Sequence, residues 1–442
     1  MWLCYIFSSH SYKAKHLATP FWYNAALSLL KPVYKWRIKK RAENAEQLQQ
    51  ELLERFGPFQ TPKNVNAIWF HVVSVGETNA AQPLIEHYLK LGHPVLVTNT
   101  TKTGQARAKS LFLQEPYLDL FQAVYLPADQ RSLIEEFFTR YQPKLLALVE
   151  TELWPNLIDK SHQFNVPCIL INARLSEKSA KGYGKVPDLT TAMLTGLKEL
   201  LAQDQASLDR FVGLGVNIET SQVVGSIKFD ISAPLSFVAN AQQLIEEWHL
   251  ENRKIMTIAS THAPEEKDIL VALKPYLEKY PELVCIVVPR HPERFDEVFE
   301  VSQNLELNTQ RRSLSQTIQA DTQVYLADSM GEMWLWYAMS QACFVGGSLN
   351  EPGGGHNILE PIVLNVPTVL GKNYFNFQTI VDEFVEASAV KIAQTAEEAA
   401  QDLIQLAYDP ELVAHLNLNV ASIMEKNKGS LAKHIQVIDQ YL

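Results

Sequence analysis

From about residue 66 onward, short apolar runs alternate with stretches of helical period, twice over. In the first half the runs Ala67–Val73, Pro94–Asn99, Ala123–Leu126, Lys144–Val149, Pro167–Ile171, Glu199–Ala202 and Ser221–Val224 predict strands. Several are continuously apolar and rich in β-branched or aromatic residues, as a strand buried on both faces should be. A second series follows: Lys254–Ala259, Leu283–Val288, Val324–Leu326, Ala342–Val345, Pro367–Val369 and Ala389–Ile392. Strands alternating with helices form parallel sheets covered on both sides, so the pattern predicts an α/β protein of two doubly wound domains. Ile231–Arg253 holds Pro234 and no strand signal, and the hinge is placed there. The expected organisation is an N-terminal segment over residues 1–45, a first domain over 46–235 and a second over 236–442.

A chain of 442 residues with 47% hydrophobic content can bury cores for two or three domains. Cys4, Cys168, Cys285 and Cys343 show no paired spacing, which argues against disulfides and against a zinc site, and fits a reducing compartment. The net charge of −10 hides an asymmetry: residues 1–42 hold eight Lys or Arg and no acid, leaving 31 basic against 49 acidic residues beyond them. Phe21–Leu30 is apolar and aromatic, and Lys31, Lys35, Arg37, Lys39, Lys40 and Arg41 follow. The apolar stretch is shorter than the roughly 20 residues a membrane crossing needs. It predicts an interfacial helix whose polybasic flank faces anionic headgroups, against the plainer alternative of a basic surface helix. The acidic body disfavours a general role with nucleic acid. Residues 1–17 lack the features of a secretory signal.

Candidate chemistry gathers where strands end. Ser74-Val75-Gly76-Glu77 follows the first strand and opens a helix, placing Glu77 in the crevice where open α/β sheets bind ligands. An acidic residue in a first helical turn is also favoured by the helix dipole alone. Val149-Glu150-Thr151-Glu152 ends another strand in two carboxylates, which could equally serve as charge for the helix opened by Pro155. Gly225–Asp230 carries Lys228, whose ordinary alternative is a solvated surface lysine.

In the second half, Gly346-Gly347-Ser348 and Gly353-Gly354-Gly355-His356 lead into a helix at Asn357-Ile358-Leu359-Glu360, a candidate anion site with a structural turn as the alternative. Arg290 and His291 follow a strand, and Gly331-Glu332-Met333 stands at another helix start. A guanidinium can grip phosphate with two hydrogen bonds. Ser260-Thr261-His262 could hold phosphate or cap a helix. The twelve histidines show no convincing metal-ligand spacing.

Taken together, Ser74–Glu77, Glu150–Asn156, Asn172–Ser176, Gly225–Asp230, Pro289–Phe295 and Gly355–Glu360 resemble, in the same order, the 3-deoxy-D-manno-oct-2-ulosonic acid (Kdo) transferases of lipopolysaccharide synthesis. The resemblance covers roughly residues 20–440. It implies the GT-B fold, two Rossmann-like domains facing a cleft, with an N-terminal membrane-associating helix. It also implies inverting, metal-independent transfer of Kdo from CMP-Kdo to the tetraacyl lipid A precursor at the cytoplasmic face of the inner membrane. No cofactor is implied, and the spacing of the histidines agrees with metal-independent chemistry.

By the same resemblance, Glu77 is the general base, and Glu150 and Lys228 stabilise the transition state. Arg290, His291, Gly331, Glu332, Met333, Asn357, Ile358, Leu359 and Glu360 contact CMP. The loop Asn350–Gly355 departs from the family's pattern, and residues 1–18 look like an addition ahead of its usual start. Two other functions stay open on the residues themselves: a related enzyme with a uridine nucleotide donor, and a non-catalytic two-domain binding protein.

Overall fold

The computed structural model describes residues 18–442; Cys4 and nearly all of the expected N-terminal addition lie outside them. The chain divides into two compact units. The first runs to Lys228 and regains the chain at Gly429–Leu442, and the second is Phe229–Lys428. The expected second domain, 236–442, is therefore corrected at both ends. It begins at Phe229, and the last segment belongs with the first unit.

The first unit holds β1 (Ile68–His71), β2 (Val95–Asn99), β3 (Phe121–Tyr125), β4 (Leu145–Val149), β5 (Cys168–Ala173), β6 (Glu199–Ala202) and β7 (Ser221–Val223). They form one sheet in the order β3-β2-β1-β4-β5-β6-β7, parallel throughout. Side chains alternate between its two buried faces. Trp69, Leu146, Leu148 and Leu170 enter one core, and Ile68, Phe70, Leu145 and Ile169 enter the other.

The second unit holds β8 (Lys254–Thr261), β9 (Leu283–Pro289), β10 (Thr309–Arg311), β11 (Val324–Leu326), β12 (Ala342–Val345), β13 (Thr368–Gly371) and β14 (Lys391–Ala393). Their order is β10-β11-β9-β8-β12-β13-β14, again all parallel. Every expected strand is present within a few residues, and β10 is an additional one. Its Thr-Gln-Arg sequence has no apolar signal; it is an edge strand held by pairing to Val324–Leu326. Two doubly wound parallel units are the fold class that the alternating pattern implied.

At the N-terminus, α1 (Phe21–Arg41) is one helix continuing through Pro32, and α2 (Ala45–Phe56) follows. The α1 helix is tied to the first unit. The Tyr23 hydroxyl donates to Asp129 at 2.9 Å, and Thr19 Oγ1 donates to the Pro155 carbonyl at 3.1 Å. Asp129 in turn accepts from the backbone N–H groups of Asn156 and Leu157, so one buried carboxylate caps a helix and anchors α1. Phe21, Trp22, Leu29, Leu30, Val33 and Trp36 are left exposed along α1. No helix among the described residues is long and apolar enough to cross a membrane.

The C-terminal helix Ser430–Asp439 buries Val437 and Ile438 in the first unit's core. Its His434 fixes a tautomer. Nδ1–H donates to the Ser430 carbonyl at 2.7 Å, leaving Nε2 to accept the backbone N–H of Asn172 at 3.0 Å. Burial pushes the imidazole down to about 4, with the Ser430 hydrogen bond opposing and Lys433 adding to the shift. A neutral imidazole is required, so below pH 6.5 the unfolded chain binds the extra proton first. The contribution of His434 is present above that pH and is lost as pH falls toward 4. His434→Ala leaves a buried N–H without its acceptor and is expected to cost about 1–3 kcal/mol. Hydrogen exchange at the Asn172 amide checks this, and exchange as slow as in the wild type would refute it.

Candidate functional site

In a doubly wound sheet the strand order reverses at one point, and the crevice beyond the carboxyl ends of the strands flanking it is where ligands bind. In the first unit that point lies between β1 and β4. Ser74–Glu77 leaves β1 and Glu150–Glu152 leaves β4. Ser74 is the N-cap of α3 (Val75–Lys90), its side chain accepting from the Glu77 N–H. The Glu77 carboxylate reaches back to accept from Val73 N–H at 2.7 Å and Ser74 Oγ at 3.0 Å. This resembles a capping box, the local reason for serine and glutamate at this spacing.

Capping alone would hold Glu77 ionised. Instead its carboxyl is pushed up to about 8, chiefly by burial, then by Glu152, with Glu150 adding; the hydrogen bonds from Val73 and Ser74 only partly oppose this. A carboxyl poised there is a stronger base than an ordinary glutamate.

Glu150 and Lys228 are brought together, Nζ to Oε1 at 2.6 Å, with both side chains largely buried. Two irregular backbone positions make this pair. Glu150 itself takes φ 60°, a left-handed conformation that a non-glycine residue holds at a cost of about 1–3 kcal/mol and that recurs at functional sites. Asn172, at φ 50°, sends its side-chain oxygen to the backbone N–H of Ile227 at 3.2 Å, fixing the turn that presents Lys228. The Asn172–Ser176 motif thus has a structural task.

Glu152 accepts from Trp154 Nε1 at 2.9 Å and lies 3.7 Å from His71 Nε2. His71 is fully buried on β1, and its Nδ1 is held by Thr98 Oγ1 at 2.9 Å and by the Thr98 carbonyl at 3.1 Å. Its Nε2 has no hydrogen-bond partner among the described residues. Sequence reasoning missed His71, which reads as one polar residue inside a strand.

In the second unit the reversal lies between β8 and β12. The expected anion loop is partly corrected. The N–H groups of Gly347, Ser348 and Leu349 are taken by the buried Glu265 carboxylate at 2.7–2.9 Å, which also caps His262 N–H at 2.9 Å. Those amides are committed to holding the loop. What the loop presents instead is a pair of imidazoles, His262 and His356, with Nε2 atoms 2.9 Å apart and rings stacked. Gly347, at φ 66°, makes room for them; a Cβ there would lie 2.9 Å from the His356 ring. Burial lowers His356 to about 4, with Arg290, His262 and His291 adding to the shift.

Arg290 follows β9 and is exposed, and His291 beside it packs edge-on to His262 at 4.9 Å. Burial raises the Glu360 carboxyl, opposed by Asn357 and by Arg290. Asn357 Oδ1 accepts from Leu359 N–H at 3.1 Å, and Ile358 and Leu359 are buried in the core, leaving their backbone and Glu360 to face a ligand. Glu332 is held by Arg312 at 2.8 Å and by Ser329, so its carboxylate is already neutralised. Burial would raise it, but these contacts outweigh it and bring it below the usual range. Gly331, Glu332 and Met333 come after β11. Gly331–Met333, Arg290–His291, His262 and His356–Glu360 therefore follow four adjacent strands, β11, β9, β8 and β12. Among the described residues no group of three or more His, Cys, Asp or Glu is placed to hold a metal ion.

Residues 50–231 match the family model described as 3-Deoxy-D-manno-octulosonic-acid transferase (kdotransferase). The 3-deoxy-D-manno-octulosonic acid transferase of Haemophilus influenzae is 34% identical over 96% of this chain and 98% of its own length. That of Bordetella pertussis is 33% identical over 95% of this chain and 99% of its own. A crystal structure of the C-terminal CMP-Kdo binding domain of WaaA from Acinetobacter baumannii is 62% identical, covering 43% of this chain and all of that one, with a TM-score of 0.43. Near-complete coverage of full-length relatives at such identity establishes the family: the chain belongs to the 3-deoxy-D-manno-octulosonic acid transferases and is a glycosyltransferase.

Proposed function

We propose that this enzyme transfers Kdo from CMP-Kdo to the tetraacyl disaccharide bisphosphate precursor of lipid A, with inversion and without a metal. The observation that carries the reading is the raised Glu77 carboxyl at the β1/β4 reversal, beside the Glu150–Lys228 pair. In the reaction, Glu77 takes the proton of the acceptor's 6'-hydroxyl as that oxygen bonds to the anomeric carbon of Kdo. The bond from that carbon to the phosphate of CMP breaks, and its electron pair leaves with CMP. The sugar passes through oxocarbenium character while negative charge grows on the phosphate.

Lys228, held in place by Glu150, supplies fixed positive charge for that transition state, and in the second unit Arg290 and His291 are the contacts to the phosphate of CMP. Gly331–Met333 and Asn357–Glu360 complete the nucleotide site. The neutral His262–His356 pair offers a nitrogen donor to an anion without adding a carboxylate's repulsion.

The acceptor class accounts for α1. Its exposed Trp22, Leu29, Val33 and Trp36 suit the interfacial layer, and Lys39, Lys40 and Arg41 in its last turn suit anionic headgroups. A cytoplasmic face of the inner membrane is the location where a cytidine nucleotide donor and such a lipid meet.

Purified protein with CMP-Kdo and the tetraacyl precursor, in chelator, is expected to give product whose mass counts the Kdo units added. Glu77→Gln is expected to lower turnover about 10²- to 10⁴-fold while the protein still folds; wild-type turnover would remove Glu77 from the role of base. Because the ionised carboxylate is the active form, the wild-type rate should rise with pH through about 8. Removing a neighbouring negative charge lowers that midpoint, so Glu152→Gln should move the pH–rate profile to lower pH. An unshifted profile would contradict the coupling. Arg290→Ala is expected to weaken CMP binding about tenfold or more by calorimetry, and equal affinity would exclude it from the donor site.

A further inference from the structure

A cavity of about 290 Å³ lies inside the first unit, between α1 and the loops that follow β2, β3 and β4. That places it at the carboxyl ends of the strands, the same end of the sheet that carries Glu77 and Glu150. Its walls are apolar: Leu27, Leu30 and Val33 from α1, Leu126 and Pro127 after β3, and Trp154 after β4. Lys31 and Arg37 also line it. Three features together define its occupant.

First, Leu30 and Val33 are 57% and 52% exposed, so they belong both to the cavity wall and to the uncovered apolar strip of α1. The cavity is thus continuous with the surface that meets the membrane. Second, Trp154 lines the cavity, and its Nε1–H donates to Glu152, the carboxylate that acts on Glu77. One side chain thus touches both the apolar cavity and the acidic cluster. Third, Lys31, Arg37 and Arg55 accompany the apolar wall. Arg55 is paired with Glu51, and the one lining carboxylate, Asp129, is already hydrogen-bonded to Tyr23, so Lys31 and Arg37 complement a molecule with a hydrocarbon part and a phosphate part.

We propose that this cavity receives an acyl chain of the lipid acceptor, holding it by one chain while its sugar lies at Glu77. The inference rests on the acceptor class proposed above and adds a subsite to it. It gives the enzyme a means of selecting an acylated acceptor over the bare disaccharide.

The test has two arms. Leu27→Trp fills the cavity from α1 while leaving the exposed strip of α1 unaltered. It should raise KM and lower kcat/KM for the tetraacyl acceptor about tenfold. Transfer to the fully deacylated disaccharide bisphosphate, and binding to anionic vesicles, should stay unchanged. Equal losses on both acceptors, or none on either, would overturn the proposal.

In the second arm, wild-type protein is irradiated with an acceptor carrying a diazirine in one acyl chain, and labelled peptides are mapped. Label within 27–34, 126–128 or at Trp154 supports the subsite; label elsewhere refutes it, as does equal labelling of these positions by a diazirine phospholipid in the vesicle. This arm needs no turnover. Labelling without Kdo transfer would leave the subsite standing and sink the activity, whereas transfer without labelling would do the reverse.

Discussion

Both sheets are apolar on their two faces, and this burial dictates where everything else can go. A strand such as Leu145–Val149 has no side chain to spare for chemistry, because each residue belongs to one core or the other. A polar group inside must find partners or pay for its desolvation. The groups able to bind and react are therefore displaced to the turns past the strands' carboxyl ends, where helices begin and N–H groups lack partners. Within each unit the reversal of strand order then selects which of these turns adjoin. Glu77 and Glu150 come close because β1 and β4 pair directly, although 73 positions separate them in the chain.

The same burial sets the chemistry of the acidic cluster. Three carboxylates gathered at two adjacent strand ends repel, and the structure relieves this unevenly. Glu150 is neutralised by Lys228, Glu152 rests on an indole N–H near a buried imidazole, and Glu77 is left to hold its proton more tightly. Uneven compensation is what separates a base from its supporting charges. In the second unit the corresponding economy is reversed. A single buried carboxylate, Glu265, consumes the loop amides, and imidazoles and a guanidinium are left at these strand ends.

Much of this was legible in the sequence, for physical reasons. Continuous apolar runs reveal strands buried on both faces, and Ser74–Glu77 reveals a helix start because capping has a fixed spacing. Three features were hidden. Thr309–Arg311 becomes a strand through pairing alone, since its own residues favour nothing. His71 meets Glu152, 81 positions away, and Glu265 meets Gly347 and Ser348, 82 and 83 away, and no local pattern encodes such meetings. The last helix was assigned to the wrong domain because its amphipathic period reports that it packs, not against what. Its partners decide that: Val437 and Ile438 enter the first unit's core, and His434 meets Asn172.

That last contact gives the chain an order of assembly. The second unit is an insertion into the first, entered at Phe229 and left at Lys428. Until residues 430–439 have been synthesised, the N–H of Asn172 and the core positions filled by Val437 and Ile438 have no partner. Asn172 is also the residue that fixes the turn presenting Lys228. The second unit can thus mature on the ribosome while the first waits for its final helix. A shortened chain would accordingly leave the first unit without its last helix and keep the second whole.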